Sequence, residues 1–197
     1  MEIRPLDIEG AWEVTPQLFR DSRGVFAEGF RVDHLAKHIG HEMQVRQTNI
    51  SVSTAGALRG IHYSDVPPSQ AKYVTATSGV FVDYVVDLRV GSPTFGRWDS
   101  LVLDSVDRRA VYLSEGLGHV LACVEDGTAV YLCSEVYAPS QERTVSPLDG
   151  DVALTLPEGF RPVVSERDAA APSFADAQSR GLLPAYADCV AYRRSLA

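Results

Sequence analysis

From Trp12 to Val136 the chain keeps returning to short runs rich in Val, Ile, Tyr and Phe, each closed by glycine, proline or an aspartate turn. That punctuation predicts an all-β sandwich or barrel of roughly ten strands, because no stretch here holds a helical period for long. The most regular run, 80–88, sets Val80, Val82, Tyr84 and Val86 on one face and Phe81, Asp83, Val85 and Asp87 on the other. An aspartate among apolar residues needs a donor, so Asp83 is expected to be paired. Residues 70–77 read as a separate strand before it. Residues 98–103 and 110–113 read as strands after it. Asp126-Gly127 reads as a two-residue hairpin turn between runs 120–124 and 128–136. Asp21-Ser22-Arg23-Gly24 marks another hairpin. Val32, Leu35, Ala36 and Ile39 fall at helical spacing with Gly40 as the stop.

Past Pro157 the pattern changes, and 174–183 and 185–196 predict two short helices on the outside. At 197 residues the expected organisation is one domain, 1–197, with a β core over about 12–157 and a helical tail over about 173–196. The formal charge of −8 argues against nucleic acid, which needs a basic surface. It leaves room for a small anion held by a few local cations. No apolar run approaches the ~20 residues of a spanning helix, and Met1-Glu2-Ile3-Arg4-Pro5 has no signal-peptide core. A cytoplasmic protein with no membrane partner is expected. Cys123, Cys133 and Cys189 lack metal-ligand spacing, and the first two suit core packing.

The chemistry gathers around Arg59-Gly60-Ile61-His62-Tyr63, with Lys72 on the next strand. Strict alternation would set Arg59 and His62 on opposite faces. A bulge at Gly60 would re-aim them onto one. Gln47 and Asn49 share the face of Met43 and Val45, where amides either bond neighbouring backbone or line a polar cavity. Of the five histidines, His62 and His119 point towards a barrel mouth, while His34, His38 and His41 look solvated. A metal-binding roll would supply His-x-His, a carboxylate and a later histidine. Gly116-x-x-His119 fits the last part, but Ser64 stands where the second histidine belongs, so no metal is expected. What remains is a histidine base, a lysine, a tyrosine and a carboxylate. That set suits cofactor-free proton abstraction beside a carbonyl, with return of a proton on the opposite face.

Over residues 19–172 the chain resembles the dTDP-4-dehydrorhamnose 3,5-epimerase family, the dTDP-4-keto-6-deoxyhexose epimerases. Its signposts are Phe19-Arg20-Asp21-Ser22-Arg23-Gly24, Gln47-Thr48-Asn49, Arg59-Gly60-Ile61-His62-Tyr63 and Gln70-Ala71-Lys72-Tyr73. Further along come 86–98, Tyr131 with Tyr137-Ala138-Pro139, and Ser165-Glu166-Arg167-Asp168. The resemblance implies a mainly β, cupin-like jelly roll (double-stranded β-helix) with short helices. It also implies a homodimer in which an N-terminal segment reaches across to the partner. By the same resemblance His62 is the base, Asp168 its orienting carboxylate, Tyr131 the opposing acid and Lys72 the group nearest the enolate. Matching nucleotide positions are Phe19, Arg23, Glu28 and Gln47, then Asn49, Arg59, Glu142 and Arg167. His119 falls at a pocket position.

Two departures stand out. His119-Val120-Leu121 replaces the family's common His-Gly-Phe, and Arg167 stands where some members carry lysine. With the helical tail, these point towards the branch serving antibiotic-type deoxysugars, in which members epimerise C3, C5 or both. Three other readings stay open: a 3,4-ketoisomerase of the same nucleotide sugar, a non-catalytic sugar-nucleotide binding protein, and a metal-dependent cupin oxygenase.

Overall fold

A pair of glycines decides where the sheet turns over. The computed structural model describes residues 1–197 as eleven strands and four helices. The strands are β1 (Glu2–Pro5), β2 (Ala11–Thr15), β3 (Leu18–Asp21), β4 (Gly24–Ala27), β5 (Gln47–Ser53), β6 (Leu58–Ser64), β7 (Lys72–Val86), β8 (Trp98–Asp104), β9 (Ala110–Leu113), β10 (Gly118–Cys133) and β11 (Glu142–Thr144). The helices are α1 (Val32–Ile39), α2 (Glu166–Ala169), α3 (Phe174–Ser179) and α4 (Tyr186–Ser195).

Strands β7 and β10 pair antiparallel from end to end and bend together halfway. At the bend a Cβ on Gly79 would stand 2.5 Å from the Asp126 carbonyl oxygen, and one on Gly127 would stand 2.3 Å from that of Ser78. Only two glycines let the backbones touch there. This corrects two expectations. Residues 70–77 and 80–88 are one strand rather than two, and Asp126-Gly127 is not a hairpin turn but a corner inside β10. The local Asp-Gly signal was real as a bend. The chain does not reverse, because Gly127 stays in the ladder opposite Ser53 of β5.

Folding the long pair over makes two layers. One runs β1-β2-β9, the first half of β7, the second half of β10, then β5. The other runs β8, the second half of β7, the first half of β10, β6 and β11. This is the mainly β jelly roll that the pattern and the resemblance implied. Val74, Phe81, Val85, Leu103, Val111 and Leu121 fill the space between the layers. Each fully buried apolar side chain of this size contributes about 1.5–3 kcal/mol relative to exposure.

The outer faces are covered as well. Leu35 of α1 and Met43 pack on Val14, Tyr73 and Tyr112 of the first layer. Helix α1 ends as expected at Gly40, whose φ of 87° lets its N–H reach back to the Ala36 carbonyl. Phe174, Ala177 and Leu183 cover Tyr63, Tyr84 and Val120 of the second layer. The tail is therefore helical and external, although α3 stops at Ser179. Helix α4 is held by Arg89, which is fully buried, pairs with Asp87 at 2.8 Å and lies 5.2 Å from the Tyr186 ring centroid. The Asp87-Leu88-Arg89 signpost thus secures the tail rather than lining a site. No helix is long and apolar enough to cross a membrane.

Candidate active site

Because β10 doubles back at its corner, residues of its two halves face each other across the gap between the layers. His119 and Tyr131, twelve positions apart, meet in this way: their ring centroids are 6.4 Å apart, edge to face. Tyr131 stands opposite Asn49 of β5 and Val74 of β7, on the first layer. His119 stands opposite His62 of β6, on the second.

Gly60 does what the sequence suggested. Arg59 pairs with Leu121 and His62 with His119, so three steps along β6 match two along β10. The extra residue is a bulge, and it turns both side chains towards the gap. Gly60 has φ of 130°, and a Cβ there would lie 2.4 Å from the His119 carbonyl oxygen. Its missing side chain is thus a condition of the site.

Three polar pairs organise the gap. His62 Nε2 lies 2.8 Å from Asp168 Oδ1. Asp168 belongs to α2, whose N-cap Ser165 accepts from the Asp168 backbone N–H. Burial pushes the Asp168 carboxyl up, but hydrogen bonds from His62, Ser165 and the Gly60 backbone outweigh it and hold the group below its ordinary value. The second pair is His119 Nε2 with Asp83 Oδ2, also 2.8 Å apart. Asp83 is fully buried, and burial pushes its carboxyl up against the pull of His119. The expectation that Asp83 is paired holds. In the third, Gln47 donates to Asn49 at 2.7 Å and accepts from the Tyr137 backbone N–H at 2.8 Å. Gln47 therefore bonds neighbouring backbone, as one reading expected, while Asn49 bonds Gln47 and Cys133 Sγ and stands opposite Tyr131.

Lys72 opens β7 opposite Leu113 and Cys133, only 7% exposed. The chain's ion pairs leave its ammonium free. Burial, reinforced by Cys133 and opposed by Arg59, pushes the Tyr131 phenol up, which keeps it a proton donor at neutral pH. Arg59, His62, Arg167 and Asp168 line one open cleft of about 330 Å³. Arg59 is steadied by Ser53 Oγ at 3.1 Å. Glu142 of β11 accepts from Ser64 Oγ at 2.8 Å, two positions beyond His62.

Phe19, Arg23 and Glu28 stand apart. They lie on or just after the β3–β4 hairpin, a separate two-stranded sheet. Phe19 packs on Phe26, Arg23 pairs with Asp21 at 2.6 Å and Glu28 with Arg31 at 3.0 Å. None of these contacts reaches the gap. Sequence reasoning passed over Ser53, the bond from Ser64 to Glu142, and helix α2. The last had a readable signal, since Ser165-x-x-Asp168 has the spacing of an N-terminal helix cap.

A family model described as dTDP-4-dehydrorhamnose 3,5-epimerase matches residues 5–176. The chain is 53% identical over 197 residues to a dTDP-4-dehydrorhamnose 3,5-epimerase of Mycolicibacterium smegmatis, covering 100% of this chain and 97% of that one. It is 52% identical over 192 residues to a dTDP-4-dehydrorhamnose 3-epimerase of Streptomyces niveus, covering 97% and 92%. Among solved structures, the Mycobacterium tuberculosis rmlC epimerase superposes with a TM-score of 0.97 at 48% identity, with 100% of both chains covered. ChmJ, a 3'-monoepimerase from Streptomyces bikiniensis solved in complex with dTDP-quinovose, gives 0.95 at 45%, covering 98% of each.

Proposed function

Because this chain belongs to the dTDP-4-dehydrorhamnose 3,5-epimerase family, we propose that it inverts C3, C5 or both in a dTDP-4-keto-6-deoxyhexose, without a cofactor. The observation that carries this reading is the opposition of two proton-transfer groups. The His62–Asp168 pair sits on one layer and the Tyr131 phenol on the other. A sugar ring held between them meets a base on one face and an acid on the other.

With Nε2–H donating to an ionised Asp168, the His62 Nδ1 lone pair takes the proton from the carbon beside the C4 ketone. The electron pair moves onto the C4 oxygen, and the free Lys72 ammonium neutralises the enolate. The Tyr131 phenol then returns a proton from the far face, which inverts the centre. Solvent resets imidazolium and phenolate. Arg59 and Arg167 line the cleft beside this centre, and their forks of donors suit the pyrophosphate. Gln47, Asn49, His119 and Glu142 border the sugar and nucleotide.

The outlying Phe19, Arg23 and Glu28 fit a homodimer whose hairpin completes the partner's nucleotide site. The exposure of Phe26, at 66%, supports an arm that packs elsewhere. Relatives named both as 3,5-epimerases and as 3-epimerases make regiochemistry the variable within this scheme.

Purified protein given dTDP-4-keto-6-deoxyglucose should yield an epimer that keeps its C4 ketone. A product with the carbonyl moved to C3 would instead mean a ketoisomerase, and binding of dTDP without turnover would mean a binding module.

A further inference from the structure

Two histidine–aspartate pairs lie side by side in this site, opposed across one register position, and their surroundings differ sharply. Both histidines offer Nε2 to the carboxylate at 2.8 Å. Both leave Nδ1 without a protein partner yet not sealed from the cavity. Asp168 accepts from His62 and lines the open cleft, where solvent can reach its carboxylate. Asp83 has His119 alone: it is fully buried between the layers, and its Oδ1 is sealed and unpartnered.

A carboxylate at an open cleft, with no sealed and unpartnered oxygen, is stable as an anion, so the His62 pair can rest with Nε2–H donating and Nδ1 bare. The same state is costly for the other pair, because it would leave a net negative charge in an apolar layer with one oxygen unpaired. The inexpensive states of the Asp83–His119 pair share one extra proton. In one, His119 is an imidazolium against the carboxylate. In the other, Asp83–OH donates to a neutral ring. Nδ1 carries a hydrogen in both. Neighbouring environments that push two like pairs apart in protonation are the usual origin of separate acid and base roles.

The geometry points to Asp83 as a positioning residue that keeps a proton on His119 Nδ1, making that ring a fixed donor to the C4 oxygen where enolate charge develops, while His62 stays bare at Nδ1 as the base. This assignment rests on the epimerase reading above. It adds a second donor beside Lys72, and no proton is consumed, since the Nδ1–H donates a hydrogen bond without being transferred. The titratable groups facing the pair are His62, directly opposite His119 on β6, and Tyr131, whose ring lies 6.4 Å from that of His119.

Nitrogen-15 NMR of the wild-type protein's histidine rings between pH 6.5 and 8 reads the two tautomers directly. Expected is a protonated Nδ1 on His119 and an unprotonated Nδ1 on His62. A bare Nδ1 on His119 across that range overturns the inference. In parallel, Asp83→Leu, which removes the partner of Nε2, should lower kcat about 100-fold with KM little changed, the order seen when one donor to a developing oxyanion is lost. Asp83→Asn, whose amide NH₂ can donate to Nε2 and keep the hydrogen on Nδ1, should retain most of kcat. A folded Asp83→Leu with unchanged kcat, or an Asp83→Asn as damaged as Asp83→Leu, also overturns it. If Asp83→Leu fails to fold, the wild-type spectrum and Asp83→Asn decide. Turnover by the wild type tests the epimerase reading separately, so either can fail without the other.

Discussion

The Nε2 atom of His62 lies 2.8 Å from Oδ1 of Asp168, 106 residues further along the chain. In the proposed mechanism that contact leaves Nδ1 as the bare nitrogen, and Asp168→Asn should disturb it without disturbing shape. An amide can present its NH₂ to Nε2, which moves the proton to Nδ1 and removes the base. Steady-state kinetics should show kcat lower by about 10²–10⁴-fold with KM little changed. A loss confined to KM would mean that Asp168 only binds substrate.

The same carboxylate should leave a mark on stability. Its folded-state value is held below the ordinary one, so its contribution is present above the unfolded value of about 3.9 and is lost as pH falls through the lower folded value. Thermal melts of wild type and Asp168→Asn should therefore differ at pH 7, by about 2–4 °C for each kcal/mol. The gap should close below about pH 4. A gap that widens in acid would contradict the assignment.

Tyr131→Phe removes the phenolic proton while keeping the ring against His119. Exchange at C3, which needs only the base, should continue. Inversion at C5 should fall by about 100-fold or more in any enzyme that acts there. Equal loss of exchange at both carbons, followed by NMR, would argue against a face-specific acid.

Gly60→Ala tests the bulge. Its Cβ would be forced to within 2.4 Å of the His119 carbonyl oxygen, at a φ that disfavours any side chain. The expected cost is about 2 kcal/mol or more, a fall of some 4–8 °C in Tm for a chain of this size. Turnover should also drop well below the folded fraction, because Arg59 and His62 would no longer share a face.

How much of this was readable depends on the range of the interaction. Local spacing found helix α1 and its Gly40 stop, strand β9, the Gly60 bulge and the need of Asp83 for a donor. It failed at Ser78-Gly79 and Asp126-Gly127, because the break between runs 70–77 and 80–88 and the Asp126-Gly127 turn are one corner visible only when the strands are paired. Periodicity gave no hint that Asp168 meets His62. That link came from the family resemblance, since a carboxylate on a four-residue helix carries no long-range signal of its own. Phe19, Arg23 and Glu28 were grouped with the site by the same resemblance, and within one chain they lie on the outlying hairpin.

Exchange in heavy water addresses the central claim most directly. dTDP-4-keto-6-deoxyglucose incubated with wild type and with His62→Ala, and followed by NMR at C3 and C5, should incorporate deuterium with the wild type at one or both carbons. His62→Ala should show none at any carbon the wild type exchanges. Wild-type protein that exchanges neither position, or a His62→Ala variant that exchanges as fast as wild type, would contradict the assignment of His62 as the base.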